Sequence, residues 1–375
     1  MASVANRLKD FDSRIFQEVF HKIKTLNNPI DLSIGVPEEP TPDFIKLAGM
    51  GAIYNNQTKY TPANGILALR QAIAKKLAAE NAIAVDPAAI SLVPGLTTGL
   101  LIVYLATLNP GDEVLIMDPS YPPYSHLASV AGAAAIPVPT LPDFQLDLAA
   151  ITAAITPKTR LIVINTPNNP TGAVYHKADL LKLAAVAKKH DIIVVSDEMY
   201  ESFLYRGEHF SIGSIYPNTI TMNGFSKSHA MTGWRLGYVA GPQVIIDAIN
   251  QLQQYIVFCP SSIAQHAALA SFDQLIPTRP SYVQKRQLIF DRLQTAGYHI
   301  NGSDGAYYTY FEVPKGLNDM EFVELAAKHN LILLPGRAFS RLQTFVRLSY
   351  GGSMKDVEKG LDIITKITRQ VNAHD

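Results

Sequence analysis

The stretch Asn223–Pro242, NGFSKSHAMTGWRLGYVAGP, sets Lys227 among small polar residues and Arg235 eight residues later. A lysine amine in a protected site can condense with an aldehyde, and a guanidinium offers a charged fork to an oxyanion such as a phosphate. Other residues extend that chemistry. Asp197 and Tyr200 follow the apolar run IIVVS, Asn168 and Asn169 follow LIVIN, and Tyr121 follows Asp118 in DPSYPPY. Gly95, Leu96 and Thr97 join the run ISLVP to a helical pattern. Together these groups suit a ligand that carries an aldehyde, a basic ring and a phosphate.

The elements that must position them are legible as alternating patterns. Short β-branched runs (ISLVPG, DEVLIMDPS, RLIVINTPNNPTG, DIIVVSDEMY, NTITMNGFSK, RLGYVAGP) alternate with helical stretches such as LTTGLLIVYLATL and KADLLKLAAVAKKH. Strands that are apolar throughout, separated by helices, predict an α/β fold: a mostly parallel sheet sandwiched by helices. This large domain is expected over residues 45–275. Beyond it the pattern is mixed: a long amphipathic helix in YVQKRQLIFDRLQTAG, then AYYTYFEV, a helix in MEFVELAAKHN, LILLPG, FVRLSY and a last helix in MKDVEKGLDIITKITRQV. A smaller α+β domain is expected from residues 1–44 and 276–375.

In an open parallel sheet, ligands bind outside the carboxyl ends of the strands. Gly95, Thr97, Asp118, Tyr121, Asn168, Asn169, Asp197, Tyr200 and Lys227 all follow apolar runs, so one sheet would turn their loops toward one crevice. Singly, each has a plainer reading. SDE after a strand is a helix N-cap, NNPTG is a good turn, and a lone lysine is usually solvated. Their convergence outweighs those readings.

Composition narrows the partners. Of 375 residues, 47% are hydrophobic, and 32 Lys and Arg balance 32 Asp and Glu. That balance disfavours nucleic acid and anionic membranes as partners. The N-terminus lacks the apolar core of a signal peptide, and no apolar run reaches membrane-spanning length. Cys259 is the single cysteine, which precludes an internal disulfide. A cytoplasmic protein is expected, and no metal site.

Pyridoxal 5'-phosphate has the groups this set can hold. Asp197 suits the ring nitrogen, whose proton makes the ring an electron sink. Asn169 and Tyr200 suit the phenolic oxygen, and Tyr121 suits the ring face. Backbone amides of Gly95–Thr97, the hydroxyls of Thr97 and Ser226, and Arg235 suit the phosphate. Arg347 in TFVRLSYGGS suits the α-carboxylate of an amino-acid substrate, because a guanidinium grips carboxylates bidentately.

Nearly the whole chain resembles the fold-type I pyridoxal-phosphate aminotransferases of class I. The resemblance shows in KYTPANGILALRQAIAKKL, LNPGDEVLIMDPSYPPY, NTPNNPTGAVY, VVSDEMYESFLY, NGFSKSHAMTGWRLGYVAGP and FVRLSYGGSM. Within the family it is similar to the aromatic-type enzymes of lactic acid bacteria and their N-acetyl-diaminopimelate relatives. The resemblance implies that Lys227 binds the cofactor as a Schiff base and shuttles the substrate proton. It gives Asp197, Asn169, Tyr200, Tyr121, Arg235, the Gly95–Thr97 loop and Arg347 the roles just described. It also implies that Gly35 lies beside the substrate carboxylate. Tyr60 would reach the phosphate of a neighbouring subunit, which implies a homodimer. The chain departs from its relatives in three places. Gly224 stands where many have a serine, Arg337 where a small or apolar residue is common, and SYGGS replaces SYATS.

The implied activity is amino transfer from an L-amino acid to a 2-oxo acid such as 2-oxoglutarate, in a ping-pong double displacement. An aromatic or broad-range donor is favoured over N-acetyl-LL-diaminopimelate or aspartate. A dicarboxylate donor would want a second cation, for which Arg337 is a candidate. Two other readings stand beside it: a β-lyase using the same cofactor on cystathionine-like substrates, and a non-catalytic regulator that kept the fold.

Overall fold

In the computed structural model, which describes residues 5–8, 14–274 and 280–373, the strand runs fold as their composition dictates. The first eight strands are β1 (Ile30–Asp31), β2 (Ile90–Val93), β3 (Glu113–Asp118), β4 (Ala134–Pro139), β5 (Thr159–Asn165), β6 (Ile193–Asp197), β7 (Thr219–Gly224) and β8 (Gly237–Ala240). Strands β2 to β8 form one sheet in the order β2-β8-β7-β6-β5-β3-β4. Successive side chains alternate between its faces. Val114 and Ile116 of β3, Leu161 and Val163 of β5, and Ile193 and Val195 of β6 enter one core. Leu115, Met117, Ile162, Ile164 and Val194 enter another on the opposite face. Burial of both faces is why these runs are apolar throughout.

Strands β4, β3, β5, β6 and β7 pair in parallel, while β8 runs antiparallel to both β7 and β2. That reversal brings the start of β8 to the edge where the other strands end. Gly237 pairs with Gly224 on one side and with Val93 on the other. Arg235, two residues before β8, therefore lies at the same edge as Lys227, three residues after β7. The edge strand β4, AAIPVP, carries Pro137 and Pro139 and gave no strand signal. Proline cannot donate to a ladder, so a strand holding two of them is tolerated only at a sheet edge.

The C-terminal strands are β9 (Tyr308–Glu312), β10 (Leu331–Ile332), β11 (Leu334–Pro335) and β12 (Phe345–Ser349). LILLPG, which reads as one strand, is split: β10 pairs in parallel with β1, and β11 joins β12 and β9 in an antiparallel sheet. The β1–β10 pairing anchors the N-terminal segment that leads to Gly35. The three expected helices form as Pro280–Thr295, Asp319–Lys328 and Met354–Asn372. The second begins with a capping box between Asn318 and Glu321, and Ser353 caps the third. The core is continuous across the two sheets, because Tyr307, Phe311 and Val346 belong to the cluster that holds Val195 and Met222.

The glycine pair at the end of β7 and the start of β8 has a steric cause. A Cβ on Gly224 would lie 2.8 Å from the Gly237 Cα and 3.1 Å from the Leu236 carbonyl oxygen. A serine at 224 does not fit this backbone, so position 224 offers no hydroxyl to a ligand. Gly224→Ser should therefore cost about 1–3 kcal/mol, the usual range for overpacking. Denaturant unfolding checks it, and an unchanged midpoint would show that β7 and β8 separate freely.

Candidate active site

A cleft of about 330 Å³ opens at the carboxyl edge of the large sheet, between β12 and the segment 33–36. The sequence-predicted residues Gly35, Leu96, Thr97, Tyr121, Asn169, Asp197, Tyr200, Ser226, Lys227, Arg235 and Arg347 line it, and Gly95 caps the helix whose first residues form part of its wall. The Lys227 ammonium donates to the Gly35 carbonyl at 2.7 Å. Burial, together with the positive charges of Arg347 and Arg235, pulls its pKa down to about 8, against the opposing pull of Asp197. Asp197, at the end of β6, is buried, and that burial raises its carboxyl to about 6. Hydrogen bonds from the Tyr124 hydroxyl at 2.8 Å and the Met199 N–H at 3.1 Å oppose the rise.

Asn169 is placed by β5. Its N–H donates to Asn165 Oδ1 at 2.8 Å, and its Oδ1 accepts from Arg347 Nη1 at 2.9 Å. Arg347, on β12, also donates from Nη2 to the Ser33 carbonyl. Its guanidinium lies 4.5 Å from the centre of the Tyr308 ring and 4.6 Å from that of Phe339. Its Nε is buried and makes no hydrogen bond among the described residues. Burial lowers the pKa of this guanidinium from its ordinary value. Tyr200 shares a 2.9 Å hydrogen bond with the Tyr308 hydroxyl.

The other end of the cleft is the start of the helix Leu96–Thr107, capped by Gly95 at φ +80°. The first N–H groups of a helix have no partner within it, and they attract anions. A Cβ on Gly95 would lie 2.3 Å from Arg235 Nη2. Glycine is thus required twice, for the positive φ and for the close approach of the guanidinium. Arg235 is itself left-handed at φ 52°, and its Nη1 donates to the Thr232 carbonyl at 3.0 Å.

Some expected residues are elsewhere. Asp118 ends β3 but faces a neighbouring cavity with Ser340 and Arg341, and burial raises its carboxyl pKa. Asn168 closes its own turn, accepting from Thr171 N–H and Oγ1. Arg337 is not the second cation of the cleft. Asp319 accepts from its backbone N–H at 2.8 Å and holds its guanidinium at 2.6 Å. Tyr60 is 80% exposed and packs on Phe258 outside the cleft. Sequence reading passed over Tyr124, Asn165 and Tyr308. The signal for Tyr124 was present: three residues after Tyr121 in SYPPY, it falls on the first turn of the helix Pro123–Val130.

A family model, aminotransferase class I and II, matches residues 27–364. The chain belongs to the class I and II aminotransferases. It is 35% identical to an aromatic-amino-acid aminotransferase 2 of Thermococcus litoralis, over 98% of this chain and 99% of that protein. It is 37% identical to a probable aspartate/prephenate aminotransferase of Thermus aquaticus, over 89% and 90%. The solved structure of Thermus thermophilus aspartate aminotransferase with maleate matches at a TM-score of 0.94, with 34% identity, 98% of this chain and all of that one. This is a transaminase of the pyridoxal-phosphate-dependent fold-type I family.

The residues of this aminotransferase fit that cofactor. The missing Cβ of Gly95 leaves a cradle between a helix N-terminus and Arg235, which suits a phosphate. Lys227, Arg235 and Arg347 face Asp197 as the carboxylate in the cleft, an excess of positive charge that anionic ligands would balance.

Two pH-dependent outcomes follow from the charges. Only an uncharged amine attacks an aldehyde, so capture of pyridoxal phosphate by the cofactor-free enzyme should speed up with pH and level off above a midpoint near 8. A rate still climbing past pH 10, the ordinary lysine range, would contradict the site's electrostatics. Asp197 has its carboxyl raised from 3.8 to about 6, so its contribution to stability is full below 3.8 and lost as pH rises through about 6. Above pH 6, cofactor-free Asp197→Asn should unfold at higher denaturant than wild type, by about 1–3 kcal/mol, yet bind the cofactor more weakly. Equal stability of the two proteins at pH 8 would show that the carboxylate carries no burial cost.

Proposed function

We propose that this aminotransferase moves the amino group of an aromatic or broad-range L-amino acid to a 2-oxo acid such as 2-oxoglutarate, in two half-reactions on one site. The observation that carries the donor class is the charge pattern of the cleft. Among the described lining residues its cations are Lys227, Arg235 and Arg347, and the wall beyond them is apolar, with Phe16, Val19, Ile34, Val36, Leu334 and Phe339. With Lys227 assigned to the aldehyde, Arg235 to the phosphate and Arg347 to the α-carboxylate, no further cation among this chain's described lining residues is left for a second substrate carboxylate.

The bound cofactor supplies an electron sink for the pair released at the substrate α-carbon. Everything else falls to the chain. Arg347 grips the α-carboxylate beside Gly35 and so fixes the α-carbon near Lys227. Lys227, with its lowered proton affinity, would take the α-proton and return it two atoms away, at the cofactor's C4′, as general base and then general acid. Asp197, ionised at neutral pH and held by Tyr124 and Met199, keeps the ring nitrogen protonated. Asn169 and Tyr200 orient the phenolic oxygen, and Tyr121 covers a ring face. Arg235, Ser226 and the Gly95–Thr97 turn hold the phosphate.

We further assign residues 45–275 to a large domain and residues 1–44 with 276–375 to a smaller one; pairing of β1 with β10 supports joining the two chain ends. The reading includes a homodimer in the cytoplasm, with Tyr60 reaching the partner's phosphate. Supporting it, Leu47, Met50 and Ile53 are exposed on one side of the helix Asp43–Tyr54. No helix among the described residues is long and apolar enough to cross a membrane.

A half-reaction screen tests the donor class. Phenylalanine or tyrosine should discharge the visible band of the cofactor-loaded enzyme faster than aspartate does at equal concentration, and the reverse order would overturn it. Arg347→Ala should lower kcat/KM for every amino-acid donor by about a hundredfold or more, the scale of losing one partner of a charged pair. An unchanged kcat/KM would remove Arg347 from the site.

A further inference from the structure

Behind the cleft, on the far side of the end of β6, lies a second set of buried charges that the reaction does not use. Neighbouring residues at a strand end point to opposite faces. Asp197 faces the cleft, and Glu198, fully buried, faces away. The Glu198 carboxylate accepts from Ser196 Oγ at 2.8 Å, Ser211 Oγ at 2.5 Å, Asn81 Nδ2 at 3.2 Å and His209 Nε2 at 2.9 Å. One turn on, Glu201 accepts from Lys76, from Asn81 Nδ2 at 2.7 Å and from Asn223 Nδ2 at 2.6 Å, with His209 Nε2 at 3.8 Å. Asn223 is on β7, four residues before Lys227, and the Glu198 N–H donates to the Met222 carbonyl at 2.9 Å. The cluster thus clamps the strand end that carries Asp197 to the strand end that carries Lys227.

With both carboxylates ionised, its charges balance only when His209 is protonated. Glu198 and Glu201 are two negative charges, and Lys76 is one positive. Glu80 also reaches Lys76, at 3.5 Å, but is largely exposed. Tyr238 of β8 faces the same carboxylates, and its burial, aided by their charge, keeps its phenol protonated. His209 Nε2 donates to Glu198 in either charge state, so the ring's charge turns on whether Nδ1, which makes no hydrogen bond among the described residues, also carries a proton.

We propose that His209 is a positioning residue for Asp197: as an imidazolium it neutralises the buried Glu198–Glu201–Lys76 cluster and so sets the field at the Asp197 side of the site. This rests on the reading that Asp197 meets the cofactor's ring nitrogen. The electrostatics agree in direction. The carboxylates hold the His209 imidazole above its ordinary proton affinity despite its burial, and the negative charge of Glu198 pushes Asp197 up. When His209 loses its proton, one uncompensated negative charge is left behind Asp197. Positive charge on the cofactor side is then held more tightly.

The test is a spectrophotometric pH titration of the cofactor-loaded enzyme. His209→Gln keeps a donor for Glu198 but no charge, and should raise the midpoint of the visible transition by about one pH unit. Glu198→Gln should lower it. The double variant, whose remaining Glu201 and Lys76 balance, should return it to the wild-type value. In His209→Gln the kcat should change while the KM for the amino acid stays put. A purely structural role would lower thermal stability and leave every midpoint alone, and that result would overturn the proposal. The cofactor-free proteins give a separate reading. The stability advantage of wild type over His209→Gln should be full below about pH 6.5 and fade as pH rises further. A pH-independent difference would also overturn the proposal. Failure of the parent reading looks different: Asp197→Ala would leave cofactor affinity and the visible midpoint at their wild-type values.

Discussion

The edge of the large sheet gathers positive charge around one cleft. Lys227, Arg235 and Arg347 converge there against Asp197, and Arg347 is buried to 5% exposure. Burying charge without a partner is costly, so such a cleft is built for anions. Much else follows from this one constraint. Burial and the crowding of cations loosen the Lys227 proton, as the proposed roles of nucleophile and proton carrier require. At one end Arg347 is braced by Asn169 and by two aromatic rings, and at the other Arg235 is pressed against a helix start that only glycine permits.

Topology delivers these groups. Five parallel strands bring Asn169, Asp197 and Lys227 to one edge by their carboxyl ends. The reversed strand β8 brings Arg235 to the same edge by its amino end, and the tight contact of Gly224 with Gly237 holds that junction. Arg347 comes from the other sheet. The shared core and the β1–β10 pairing bring it to the cleft together with Gly35.

The parts of this plan that sequence made legible are those with a simple period. Apolar β-branched runs ended by polar residues marked β2, β3, β5, β6 and β7, and hence the placement of Lys227, Asp197 and Asn169. Direction was not legible: nothing in RLGYVAGP says that β8 runs backwards. The strand AAIPVP was hidden by its prolines, and LILLPG concealed two short strands in different sheets. Arg337 looked like a cleft cation because its partner Asp319, eighteen residues away, is brought to it only by folding. The Glu198–Glu201–His209 cluster was invisible for the same reason. Its members come from the helix Leu67–Glu80, the turn after β6, a loop and β7, and only the fold joins them.

The central claim is that Lys227, among these converging charges, is the residue that bonds the cofactor. The most direct measurement is borohydride reduction of the pyridoxal-phosphate-loaded enzyme, followed by digestion and mass spectrometry. The account predicts one reduced pyridoxyl adduct, on the peptide that contains Lys227. Stoichiometric adduct at any other lysine, with Lys227 unmodified, would contradict it.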